Sequence, residues 1–320
     1  MTSPNAITTN QVPPEVRVYY DRLLLKLATP ALIYDKFAQR RTIPMNSGNA
    51  LIFRRYGTLN AATTPLSEAI TPPGASESVI DFSAQISWYG SFMIVSDVVQ
   101  YTVQDRVLNE LTKVLSLQLG LTLDTLARDM MVSTASTIAC SHGTNGATPT
   151  EINDTDFQIV QRALRQGNAE FLTPHIEGEN KFGTGPSRPS FWGFMSVDQE
   201  MDLEAVSSFQ SVSNYANQSS TLMAEWGQTR NIRWCTSTNG FNDGGDPAIY
   251  SSFVLGREAY GVVKLGAMQA QLIVKPLGSA GTTDALDQRS SVGFKVPWGG
   301  RILNDNWIAR VTATLQTNFS

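Results

Sequence analysis

The apolar positions of this 320-residue chain change their spacing several times, and each change marks a new kind of element. Residues 1–13 hold Thr, Asn and Pro without periodicity, which reads as disordered or arm-like. Pro13-Pro14 suits a helix start. Val16, Tyr19, Tyr20, Leu23, Leu24 and Leu27 then recur at helical spacing until Pro30 ends or kinks the segment. A second short segment covers Ala31 to Gln39. After the turn Asn46-Ser47-Gly48-Asn49, Ala50 to Tyr56 is a strand-type run. Residues 57–78 carry Gly57, Pro65, Pro72, Pro73 and Gly74 among many Thr and Ala. This is a polar loop of about 20 residues, a length that compact domains rarely hold without a use for it. Val79 to Val95 returns to strand, with Ile80, Phe82, Ala84, Ile86 and Trp88 alternating with polar positions. Two strands and their loop predict a long extended hairpin.

The strongest periodic element spans 103–135. Leu108, Leu111, Leu115, Leu119, Leu126 and Met130 fall on one stripe, with Thr122 filling the gap, so a helix of roughly 45–50 Å is expected. Thr102 and Asp105 resemble a capping box, and Asp124 and Arg128 make a favourable i,i+4 pair. Gly120 costs about 1 kcal/mol against Ala and marks a place for a bend. After a loop at 141–150, a helix starts near Asp154 with Phe157, Val160 and Leu164 on one face, and stops at Gly167-Asn168. Residues 173–189 read as loop and Phe191 to Met195 as a short strand. Residues 197–206 read as a helix capped by Ser196, with Gln199 completing a capping box. The Ser/Asn/Gln-rich stretch 207–221 reads as a mobile loop. Strands follow near Ile232–Trp234 and Ser252–Leu255, then a helical or turn segment over Arg257–Val263, then strands at 268–275, 291–296 and Trp307–Leu315. No internal repeat is present. The order is arm, long hairpin, long helix, then mixed structure, which makes the fold class α+β.

Composition narrows what such a chain does. Its length exceeds the roughly 250–300 residues at which a single core stops growing, so two cores, or one with extensions, are expected. Only 16% of residues are charged, against the usual ~25%, so copies repel one another weakly and self-packing is favoured. The net charge of −4 argues against a dedicated nucleic-acid binder, while a wall that touches DNA loosely remains compatible. Cys140 and Cys235 are too few for a disulfide framework and match no zinc spacing, so two free thiols are expected. Met1 to Gln11 lacks a signal-peptide pattern, and runs such as Leu23-Leu24-Leu25 are too short to span a bilayer.

Catalytic signatures are missing: there is no P-loop, no dinucleotide glycine motif and no nucleophile elbow. Cys140-x-His142 offers two ligands where zinc takes three or four. His175-x-Glu177-x-Glu179 sits in a Gly- and Pro-flanked solvated loop. Asn242-Asp243-Gly244-Gly245-Asp246 lacks the full calcium-loop pattern and reads as a turn. No catalytic, cofactor-binding or metal-binding residue is expected, so the chain is not read as an enzyme. The arginine pairs Arg40-Arg41 and Arg54-Arg55 border the arm and the hairpin, the two segments least able to bury themselves within one chain. They fit contacts to a neighbour's carboxylates or to DNA phosphates, or else intra-chain pairs worth under ~1 kcal/mol.

Several blocks resemble one family. Phe53-Arg54-Arg55-Tyr56, Ala62-Thr63-Thr64-Pro65-Leu66-Ser67-Glu68 and Thr71-Pro72-Pro73-Gly74 look like the extended loop of tailed-phage major capsid proteins, in the N4-like branch. Trp88-Tyr89-Gly90, Ser96-Asp97-Val98 and Leu123 to Asp129 resemble that family's next strand and long helix. Glu225-Trp226-Gly227, Ile232-Arg233-Trp234, Val254 to Gly261 and Ile302 to Arg310 resemble its later blocks, so the likeness covers roughly 15–315. It implies an HK97-like capsid fold. The expected parts are an N-terminal arm (1–45), an extended E-loop hairpin with flanking strands (46–95) and a peripheral domain with the spine helix (96–190). An axial domain (191–290) and C-terminal strands returning to the peripheral domain (291–320) complete it.

The same likeness implies hexamers and pentamers of the chain itself in an icosahedral virion shell, assembled in the bacterial cytoplasm around double-stranded DNA. The implied partners are portal and scaffolding proteins and a cement protein. It adds Glu68 and Trp88 to Arg40, Arg41, Arg54 and Arg55 as inter-subunit contact candidates. One feature departs from relatives that crosslink through a Lys–Asn bond, because residues 57–79 contain no lysine. The alternatives are an encapsulin-type bacterial compartment shell of the same fold and a secreted hydrolase or lectin-like protein.

Overall fold

The structure, a computed structural model, describes residues 33–44, 46–57, 59–65, 68, 74–97, 107–134, 136–140, 148–172, 189–215, 221, 224–266, 270–279 and 284–316, with backbone alone for 107–110 and 134. The helix expected over Val16–Leu27, the cap at Thr102 and Asp105, His142, and the group at 175–179 lie outside these residues.

In chain order come β1 (Gln39–Ile43), β2 (Ala50–Tyr56), β3 (Val79–Gln85), β4 (Ser87–Ser96), the long helix α1 (Val107–Thr134) and β5 (Ser136–Ala139). Next are α2 (Asp154–Gln166), β6 (Phe191–Ser196), the short α3 (Glu200–Ala205), β7 (Phe209–Ser211), β8 (Glu225–Thr229), β9 (Ile232–Ser237) and β10 (Phe241–Asn242). The chain continues through β11 (Ile249–Leu255), β12 (Tyr260–Leu265), β13 (Gln271–Lys275), β14 (Arg289–Ile302) and β15 (Ile308–Thr314). β2 and β3 pair only with each other. A five-stranded sheet runs β1-β12-β14-β13, with β4 also on the long β14. An eight-stranded sheet runs β5-β15-β11-β6-β9-β8-β7, with β10 on β11.

The eight-stranded sheet is covered on both faces, which is why its central strands read as nearly unbroken apolar runs. Phe191, Met195, Trp234, Val254 and Val311 face α2 through Phe157, Val160 and Leu164. The alternate residues Trp192, Phe194, Phe253, Leu255 and Ile308 face Tyr34, Ala127 and Met131. Gly193 is required here: a Cβ would lie 2.4 Å from two atoms of the Trp234 ring. Cys140 and Cys235 are buried and free, and belong to these two opposite clusters.

Helix α1 joins the two sheets. Leu115 and Leu119 pack on Val292, Phe294 and Val296 of β14, and further on Ala127 and Met131 pack on the eight-stranded sheet. The buried face therefore rotates by roughly a third of a turn along the helix. This corrects the expected single stripe, since Leu126 and Met130 are only partly buried. The Asp124–Arg128 pair is also corrected. Asp124 is buried and accepts the backbone N–H groups of Ile33 (3.0 Å) and Tyr34 (2.9 Å) and the Asn239 amide (3.1 Å), while Arg128 bonds Asp129 and Asn239.

Other expectations change for local reasons. Ser196 accepts from the Asp198 N–H, but Gln199 is buried and accepts from Ser252 at 2.8 Å instead of closing a capping box; the helix begins only at Glu200. The stretch from 207 opens with the edge strand β7, paired to β8. The segment expected over Arg257–Val263 splits into a turn at 257–259, with Glu258 at φ 56, and the start of β12 at Tyr260. Val79 to Val95 is two strands serving different sheets, parted at Ile86.

Candidate interaction surface

In the hairpin β2–β3 burial alternates along β2 and along the base of β3, and among the described residues only one face has a partner. Leu51, Phe53 and Ala84 turn inward onto Ile43, Ile86, Val263 and Leu265. Gly261 admits the Phe53 ring, for a Cβ there would sit 2.7 Å from Cζ. Ile52 (61% exposed), Tyr56 (60%) and Val79 look outward, while Ile80, on the inward face but past its covered base, and Leu59, beyond the strand end, are exposed as well. A two-stranded hairpin is marginal by itself, so this one depends on its rooted base and on whatever covers the rest.

A second uncovered surface lies on the five-stranded sheet, opposite α1. In β4 the inward phase shifts after Ile86 to Tyr89, Ser91, Met93 and Val95, which leaves Trp88 (45% exposed), Phe92 (67%) and Ile94 (57%) outside. Register aligns Ile273, Gly293 and Phe92 in one row across β13, β14 and β4, and Lys275, Ser291 and Ile94 in the next. Aligned residues in neighbouring strands share a face, so Ile273, itself exposed, joins the patch. Lys295 lies with its Nζ 4.4 Å from the Trp88 ring centre. The result is a contiguous apolar face edged by two lysines, the kind of patch that marks an interaction site.

The six residues singled out from sequence separate into groups. Arg41, Arg54 and Arg55 come together around one cleft of about 440 Å³ at the hairpin root, with Glu258, Leu303 and Trp307 on its other side. Arg54 is held by the cross-strand Asp81 through two bonds of 2.9 and 3.1 Å; that pairing raises the arginine's pKa and holds the Asp81 carboxyl below its usual range. Arg55 lies over Phe82, 5.4 Å from the ring centre. Arg40 is elsewhere, bonded to Asp35 at 2.9 Å, and burial pushes the Asp35 carboxyl up. Glu68 is exposed in the hairpin tip, and Trp88 belongs to the sheet patch. Sequence reasoning missed Phe92, Ile94 and Ile273. The available signal was β4 itself, Ser-Trp-Tyr-Gly-Ser-Phe-Met-Ile-Val-Ser, which is apolar on both faces although the chain covers one.

Chemistry of other kinds is sparse among the described residues. No group of three or more His, Cys, Asp or Glu side chains stands together as metal ligands, and no helix is long and apolar enough to cross a membrane. Asp243 closes a turn, accepting the N–H groups of Gly245 (3.1 Å) and Ile249 (2.7 Å).

No family model and no curated protein sequence matches the chain. Solved structures do. The head structure of Helicobacter pylori bacteriophage KHP40 matches with a TM-score of 0.62 at 9% identity, covering 89% of this chain and 88% of that one. The cyanophage Pam1 capsid asymmetric unit gives 0.60 at 12% identity, covering 91% and 93%. The capsid of cyanophage P-SCSP1u gives 0.57 at 14% identity, covering 89% of each. At such identities the likeness establishes the fold: this chain has the mixed α and β fold, mostly strands with few helices, found in these phage capsid structures.

Proposed function

We propose that the chain is the major capsid protein of a tailed phage, an N4-like member with an HK97-like fold, and that its work is assembly without catalysis. The likeness to capsid structures over about 90% of the chain supports this. The observation that carries it is the pair of uncovered apolar surfaces, one on the hairpin and one on the sheet. Their charges are complementary: residues 57–78 contain Glu68 and Glu77 and no Lys or Arg, while the sheet patch is edged by Lys275 and Lys295.

In this reading the hairpin is the E-loop, α1 the spine helix, the five-stranded sheet the body of the peripheral domain and the eight-stranded sheet that of the axial domain, so β12 and β13 count with the peripheral domain and β5 and β15 with the axial one, unlike the bounds expected from sequence. The hairpin of one copy lies on the sheet patch of the next. Each subunit makes several such contacts, and closure of the shell renders them multivalent. Interfaces of standard size bury about 1,600 Å², and ordering costs offset much of the apolar gain, which leaves each contact reversible during assembly. The shell is built of hexamers and pentamers in the bacterial cytoplasm with portal, scaffolding and cement partners, and meets double-stranded DNA only loosely.

Deleting residues 57–78 tests the proposal. A soluble folded chain that forms no shells is expected, and normal particles from the deletion would overturn it. Genome-filled heads with a portal, as opposed to enzyme-filled cages, separate the phage reading from an encapsulin-type shell.

A further inference from the structure

A third apolar surface lies on α1 and points to a different occupant. Val114 (49% exposed), Leu117 (60%) and Leu121 (54%) follow one another at steps of three and four on the side of the helix away from β14. Asp124 is the next position on that line. It receives the backbone N–H groups of Ile33 and Tyr34, so the first described residues of the chain are pinned to α1 directly beyond the stripe. Tyr260 fixes the same point by donating its hydroxyl to the Tyr34 carbonyl. The described chain therefore begins within one helical turn of Leu121.

The sequence upstream has what the stripe lacks. Val16, Tyr19, Tyr20, Leu23, Leu24 and Leu27 fall at i, i+3, i+4, i+7, i+8 and i+11, between Pro14 and Pro30. A helix over 14–29 would be about 24 Å long, and α1 from Val107 to Asp124 is about 26 Å. Helices of this length are marginal in water and need an apolar face to rest on. We propose that residues 14–29 of the same chain dock as a helix along Val114, Leu117 and Leu121. They run back from the Asp124 clamp and close the α1 surface in cis, before and independently of any contact between copies. The inference rests on the clamp and the stripe, not on the shell reading, and it leaves only residues 1–13 free to reach a neighbour.

Amide hydrogen exchange on the full chain tests it. The peptide 14–29 should exchange at least ~10-fold more slowly than the same sequence as a free peptide, whether the protein is dilute or concentrated. The double variant L117D/L121D should abolish that protection while the peptide spanning Phe191–Ser196 keeps its own, which reports an intact body. Unprotected 14–29 amides in the parent chain would overturn the proposal. So would protection that survives L117D/L121D, or protection that disappears on dilution, which would assign the docking helix to a second copy.

Discussion

A single methyl group at position 193 should cost the fold several kilocalories. A Cβ built on Gly193 lies 2.4 Å from Cε3 and Cζ3 of Trp234 and 3.0 Å from Cδ2, where ordinary contact begins at 3.4 Å. The ring must retreat by roughly 1 Å, and dispersion contacts fall off over that range. It has nowhere to go: Trp234 is fully buried, its centroid is 5.2 Å from that of Phe157, and its Nε1 donates to Thr229 Oγ1 at 2.7 Å. Overpacking alone costs about 1–3 kcal/mol. Loss of the indole bond leaves a buried donor unpaired for a further ~1–3 kcal/mol. G193A should therefore lose about 2–6 kcal/mol in urea unfolding of the unassembled chain, with an unchanged slope.

The companion variant W234F removes the atoms that the methyl strikes, so the methyl should cost at least ~1 kcal/mol less in that background. An unchanged midpoint for G193A, or the same methyl cost in the W234F background as in the parent, would refute the reasoning.

Three further outcomes follow from named contacts. Glu225 and Arg233 form a buried two-bond pair at 2.6 and 2.7 Å, with Arg233 over Trp192; E225Q removes the counter-charge of the buried guanidinium and should cost about 3–5 kcal/mol in thermal or urea unfolding. Arg230 first, and Ser208 with it, hold the Asp154 carboxyl below its ordinary 3.8, so its contribution is complete above that pH and is lost as pH falls through the lowered folded value. D154N should thus be less stable than the parent by ~0.5–1 kcal/mol at neutral pH, with the gap closing in acid. Cys140 and Cys235 are buried, and burial pushes the Cys235 thiol up to about 12; neither should react with a thiol reagent at pH 8 until urea is added, when both should.

The long-range order of elements was legible because each has a strong local signature. The α2 helix is a clear case: Phe157, Val160 and Leu164 are its buried face, and it ends at Gly167-Asn168, where Asn168 takes φ 55. The hairpin was legible from the polar tip between two alternating runs. What escaped depends on partners distant in sequence. The rotation of the buried face of α1 follows from its passage between two sheets, and Asp124 looked like half of a surface pair because its donors, at 33 and 34, lie about ninety residues away. Arg257–Val263 seemed helical or turn-like because a strand buried by its neighbours, Tyr260 to Val263, has no alternation to betray it.

Of the interaction surface, the hairpin and its arginines were visible, whereas the sheet patch was not. Phe92, Ile94 and Ile273 become one surface only through the registers of β4, β14 and β13.

The central claim is that Ile52, Tyr56, Phe92 and Ile94 are left open in one copy because other copies cover them. Electron microscopy of the purified full-length chain at high concentration tests it most directly. Closed shells of uniform size are the result expected. A population of single molecules, with no particles at any concentration reached, would contradict it.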